Sequence, residues 1–120
     1  MFREGDGRMS YDLMIELQAK QKQLDVAVKS MRKTGTDYAQ AEHDYKVLLA
    51  KECLKLRDEG MAIGMIDKCC YGIPSVAKAR FDRDVAEAVY KANQESINSI
   101  KLQLRLLEGQ INREWSGSNA

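Results

Sequence analysis

Along the first half of the chain, Leu13, Leu17, Leu24, Val28 and Met31, then Tyr38, Tyr45, Leu49 and Leu56, recur at steps of three, four and seven residues. This spacing places them on one apolar stripe of a helix. Ser10 precedes the stripe and is a suitable N-cap. The tetrapeptide Thr34-Gly35-Thr36-Asp37 has the composition of a break, with a possible cap at Asp37. Yet Leu24, Met31, Tyr38 and Tyr45 keep a strict seven-residue step across it. Because phase resets at a true loop, the pattern favours one helix from about Ser10 to Glu59. Gly35 would then take an inward position where a neighbouring helix passes closely. The alternative is two helices meeting at Gly35, since an interior glycine costs about 1 kcal/mol relative to alanine.

Gly60 follows Arg57-Asp58-Glu59 and is placed to end this element as a left-handed C-terminal residue. The texture then changes. Met61, Ile63, Met65 and Ile66 crowd an apolar segment, and Gly72-Ile73-Pro74-Ser75 forms a punctuated loop, so a short helix is expected over 62–70. Pro74 or Ser75 opens the next long element. There Ala86, Asn93, Ile100, Leu107 and Glu114 mark one heptad column, and Tyr90, Ile97, Leu104 and Ile111 another. This is the cleanest periodicity in the chain and predicts one helix over 76–115, closed by Trp115.

The fold class expected is therefore all-α: a long antiparallel helical hairpin with a short helix at its corner. A short connection forces neighbouring helices to run in opposite directions. The hairpin domain would occupy 10–115, flanked by flexible segments at 1–9 and 116–120. Two helices bury only the seam between them, while Leu102, Leu106, Phe81, Val85 and Val89 offer further apolar surface. Self-association into a dimeric four-helix bundle is the economical way to cover it. Asn93, Ile97, Ile100, Leu102, Leu104, Leu106, Leu107 and Ile111 are the candidates for that interface. Asn93, polar and inward, is either a register device or a partly exposed seam residue.

Composition agrees with this class. The chain has 120 residues, one proline and 7% aromatics, with 44% hydrophobic and 31% charged residues. It is too short for a typical two-domain enzyme. Nineteen basic against eighteen acidic residues leave a formal charge of +1, which signals neither a polyanion mimic nor a strongly basic nucleic-acid coat. No window approaches 18 consecutive apolar residues, and Met1–Met9 lacks the apolar core of a signal peptide, so a cytoplasmic protein with no membrane contact is expected.

The chemistry-bearing residues are few. Cys53, Cys69 and Cys70 are odd in number and lack CxxC spacing, so they read as reduced thiols; a redox pair at Cys69 and Cys70 would need a strained ring. His43 is the only histidine and falls beside the apolar stripe, with no ligand partners at helical spacing. No metalloprotease, nucleophile-elbow, P-loop or dinucleotide-binding fingerprint occurs. A non-enzymatic protein without cofactor or metal is expected.

Two surfaces remain. Lys20, Lys22, Lys29, Arg32 and Lys33, opposed nearby only by Asp25, form a basic group that either contacts phosphate or keeps a helix face solvated. Met61, Ile63, Met65, Ile66, Tyr71 and Ile73 form a methionine-rich corner. It is either an adaptable contact surface or a plug sealing the end of the hairpin.

Tyr90-Lys91-Ala92-Asn93-Gln94-Glu95-Ser96-Ile97-Asn98, the run Lys101–Glu108 and the ending Arg113-Glu114-Trp115, with Tyr38–Glu42 and Glu59-Gly60-Met61 upstream, resemble small helical proteins of phages and prophages of low-GC Gram-positive bacteria. The resemblance covers most of residues 30–115 and transfers no site residues. It implies a setting in early-region gene clusters, beside single-strand annealing and single-strand binding functions. The first expectation is thus a non-catalytic phage-type interaction protein that binds and inhibits or regulates a host defence or nucleic-acid-processing protein, as anti-CRISPR proteins and nuclease inhibitors do. The second is a recombination accessory contacting DNA, and the third a phage structural or assembly protein.

Overall fold

The computed structural model describes residues 4–118. Among them no strand occurs. The elements are α1 (Glu4–Asp58), a short α2 (Ile63–Cys69), one 3-10 turn (Cys70–Gly72) and α3 (Pro74–Ser118). The all-helical class, the two long helices and the short helix between them follow the sequence pattern.

Helix α1 passes through Gly35 without interruption. Thr36 Oγ1 donates to the Arg32 carbonyl at 2.7 Å, and the Asp37 carboxylate pairs with Lys33 Nζ at 2.9 Å. Thr36 thus satisfies its hydroxyl one turn back. Asp37, weighed as a cap, instead sits mid-helix in an i,i+4 ion pair. Both helix limits are corrected outward. α1 starts at Glu4 rather than near Ser10, and α3 runs three residues past Trp115 to Ser118. Neither extension contains proline, which would interrupt a helix. Residues 1–3 and 119–120, the ends of the segments expected as flexible, lie outside the described residues.

The chain divides into two compact units, Met1–Met31 with Asn93–Ala120, and Arg32–Ala92. In the first, Ile97, Leu104 and Leu107 are buried. Ala27 faces Asn93, whose Nδ2 donates to the Ala27 carbonyl at 2.9 Å, and Glu16 and Lys20 border one cleft with Gln103 and Leu107. Falling numbers on α1 meet rising numbers on α3, so the two segments run antiparallel.

In the second unit Gly35 meets Tyr90 and Tyr45 meets Arg83, again antiparallel. Its buried side chains are Tyr45, Ile66, Cys70 and Val76. The corner is built by backbone chemistry. Gly60 has φ of 86°, its N–H bonds the Arg57 carbonyl at 3.0 Å, and the Met61 N–H bonds the Leu56 carbonyl at 3.1 Å. These two bonds form a Schellman motif, which satisfies carbonyls left open at the end of α1. At the other side Ile73 is extended and its carbonyl accepts the Ala77 N–H at 2.8 Å, so Pro74 occupies the first helical position of α3. There its missing N–H costs nothing.

The ion pairs Lys33–Asp37, Lys46–Glu42, Lys78–Asp82 and Lys91–Glu87 each join residues four apart on one helix. Exposed pairs of this kind add only a few tenths of a kcal/mol each, about 0.3–0.5.

Candidate interaction surfaces

On α3, Phe81, Val85 and Val89 recur every four residues, so they form one ridge. They are 65%, 46% and 50% exposed. The ridge borders an open cavity of about 230 Å³ whose other walls include Thr34, Asp37, Asp82 and Ala86. Both carboxylates at the rim are paired, Asp37 with Lys33 and Asp82 with Lys78, each at 2.9 Å. The result is an apolar trough with a polar, largely neutralised rim. Such a surface suits the apolar face of another helix.

The ridge is exposed because of what lies beside it. Tyr90 and Ala86 take the inward side of α3: the Tyr90 ring lies 6.0 Å from that of Tyr38, and its Cε2 stands 3.2 Å from where a Cβ on Gly35 would be. Arg83, seven positions before Tyr90 and so on the same side of α3, sets its guanidinium 4.8 Å from the centroid of the buried Tyr45 ring, while its Nε donates to Asp84 at 2.8 Å. That hydrogen bond holds the Arg83 pKa above its already high ordinary value. Inward side chains are therefore satisfied within the unit, and the Phe81 ridge is left over.

The methionine-rich corner divides in two. Ile66 is 7% exposed and joins Cys70 and Val76 in the corner's interior. For this residue the burial fits the plug rather than the contact surface. Ile63, Met65 and Tyr71 face outward at 77%, 49% and 47% exposure, with Met61 and Ile73 half-buried. Arg80 lies 5.7 Å from the Tyr71 ring centroid, a cation over an aromatic face.

The candidate oligomer residues divide likewise. Ile97, Leu104 and Leu107 are buried within a single chain, and Asn93 bonds α1 across the seam, so these four are already engaged in the folded chain. Ile100 and Ile111 are half-buried, and Leu102 and Leu106 remain exposed one turn apart. No known protein family, curated protein or solved structure matches the chain.

Lys22 and Lys29 are exposed in the first unit, seven positions apart, while Lys20 is half-buried beside Gln103 and Leu106. Arg32 and Lys33 belong to the second unit, and Lys33 is engaged with Asp37. His43 is exposed, and among the described residues no group of three or more His, Cys, Asp or Glu is placed to hold a metal ion. No helix described is long and apolar enough to cross a membrane. Of the three free cysteines, Cys70 is buried, while Cys53 and Cys69 are half-buried.

Proposed function

We propose that the chain is a non-catalytic interaction protein that docks a protein partner on the Phe81–Val85–Val89 ridge. The carrying observation is the imbalance of apolar surface: among the described residues seventeen large hydrophobic side chains are exposed and seven hydrophobic residues are buried. Scattered exposed apolar residues are ordinary, but a contiguous ridge bordering a trough marks an interaction surface. The phage-like resemblance gives the partner's class, a host defence or nucleic-acid-processing protein that the chain binds and inhibits in the host cytoplasm. Pairing of two copies into a four-helix bundle is part of the same reading, with Leu102 and Leu106 as exposed contributors.

The test is expression in a bacterial host whose CRISPR or restriction system blocks a sensitive phage. The chain should restore plating, and the triple substitution Phe81→Ser, Val85→Ser, Val89→Ser should abolish the restoration while helicity is retained. Unchanged plating with the unmodified chain overturns the inhibitor reading. Light scattering tests the pairing, for which a monomeric mass is the contrary result.

A second reading, direct contact with DNA, rests on Lys22 and Lys29 projecting from the first unit. It requires a mobility shift that weakens steeply with salt and is reduced by Lys22→Ala with Lys29→Ala.

A further inference from the structure

In the unit of Met1–Met31 with Asn93–Ala120, the α3 residues Ser96, Ser99, Leu102, Gln103, Leu106 and Gln110 recur at steps of three and four and so share one face of the helix. All but Gln103 are exposed, Leu102 and Leu106 at 54% and 62%. No charged residue falls on this face between Glu95 and Arg113, although Lys101, Arg105 and Glu108 stand on the other flank of the same stretch. Glu95 and Arg113 are eighteen positions apart, which is five full turns, so they lie on one line of the helix about 27 Å from each other. Both are exposed, and Arg113 lies along the face, with its Nη1 3.6 Å from where a Cβ on Gly109 would be. The face thus carries opposite charges at its two ends and none between. Gln103 is near its middle. Its Oε1 is buried and accepts no hydrogen bond from any described residue, and its Nε2 reaches Ser99 Oγ only at 3.5 Å.

We infer that this face of α3 packs antiparallel against the same face of a second copy of the chain, about a two-fold axis at the level of Leu104. Pairing of copies is the reading proposed above, on which this surface and register rest. In this register Leu102 of each copy faces Leu106 of the other and Glu95 faces Arg113, each contact occurring twice by symmetry. Parallel pairing would set Glu95 against Glu95 and Arg113 against Arg113, so the charges select the antiparallel mate. The uncharged middle lets two copies of one helix approach without like-charge repulsion. A partner of unrelated sequence would have to reproduce the reversed order of charge, whereas a second copy carries it by construction. The two Gln103 residues meet beside the axis, offset by about 3 Å along the helices. A buried acceptor without a donor is costly, and the terminal torsion of glutamine is soft. Turned toward the axis, each amide donates to the Oε1 of the other copy.

Sedimentation equilibrium of the full chain at low ionic strength tests the register. The unmodified chain should be a dimer. Glu95→Arg and Arg113→Glu should each raise the dissociation constant about tenfold, and the two together should return it to within about threefold of the unmodified value. Leu106→Lys should raise it by about a hundredfold, with helicity by circular dichroism unchanged because Leu106 is exposed in the single chain. A monomeric mass for the unmodified chain overturns the pairing itself, and the register with it. A dimer whose dissociation constant is unmoved by the single reversals, or is not restored by the double reversal, overturns only the α3 face and its register. So does a dimer that is lost with Phe81→Ser, Val85→Ser and Val89→Ser yet kept with Leu106→Lys.

Discussion

Gly35 lies under the ring of Tyr90, and a Cβ added there would stand 3.2 Å from Cε2. The contact explains why a residue that weakens helices sits in the middle of an uninterrupted one. The ring occupies the space a side chain would need.

Gly35→Ala sets two effects against each other. Helix propensity favours alanine by about 1 kcal/mol, whereas crowding a packed seam costs typically 1–3 kcal/mol. The Tyr90 ring is also packed 6.0 Å from that of Tyr38, so crowding wins and the substitution should destabilise by about 1 kcal/mol. In a Tyr90→Leu background the same change should stabilise. Urea unfolding of the four proteins of this cycle measures the reversal of sign.

Arg83→Lys should lose much of what Arg83→Ala loses, because only a planar guanidinium both covers the Tyr45 ring and keeps its hydrogen bond to Asp84. The alanine variant should cost about 1 kcal/mol, combining the cation–aromatic contact and the stem's packing. Denaturation midpoints of the two variants decide whether charge alone suffices.

Gly60→Ala should lower stability by about 1 kcal/mol, since φ of 86° carries a Cβ penalty for any L side chain. No neighbour crowds a Cβ there within 4 Å, so the loss is conformational rather than steric. Asparagine, which tolerates the left-handed region, should recover part of it. Thermal melts of both variants test this.

Cys53 should alkylate more slowly than an unhindered thiol at pH 8, with its rate still climbing above the usual thiol range. Its raised pKa also fixes a sign for stability. A folded state that binds this proton more tightly has that contribution in full below the unfolded pKa and loses it as pH rises through the folded value. Burial of Cys53 is the main reason, with neighbouring Cys70 and Asp67 adding to it, so Cys70→Ser should quicken alkylation only in part. Iodoacetamide rates across pH read the effect.

Much of the fold could be read from local chemistry. Gly60 and Pro74 are backbone specialists whose roles follow from φ and a missing N–H, and each stands where the chain turns. The seven-residue step through Leu24, Met31, Tyr38 and Tyr45 outweighed the loop-like composition of Thr34–Asp37, because burial of a stripe stabilises more than one glycine costs. Asp37 misled as a cap since Lys33, one turn earlier, offers its carboxylate a partner within the helix. The helix ends were misjudged because α1 and α3 extend beyond their apolar stripes. What escaped the sequence was the packing of the corner: Ile66 turns inward while Met65 beside it turns out. Such facts depend on how α2 is rotated, which a seven-residue helix does not fix by periodicity. The identity of the proposed partner is illegible for a different reason: a ridge such as Phe81, Val85 and Val89 describes a shape to be filled, not a molecule that fills it.

The lysine–carboxylate pairs along α1 and α3 join neighbours on the same helix, while alignment between helices is set by fits such as Tyr90 over Gly35. Charge and register are therefore written in separate alphabets. Swapping a lysine and its acid, as in Lys78→Asp with Asp82→Lys, rewrites the electrostatic face shown to a visitor without sliding one helix along the other. The outer coat can drift under selection while the frame beneath keeps its place.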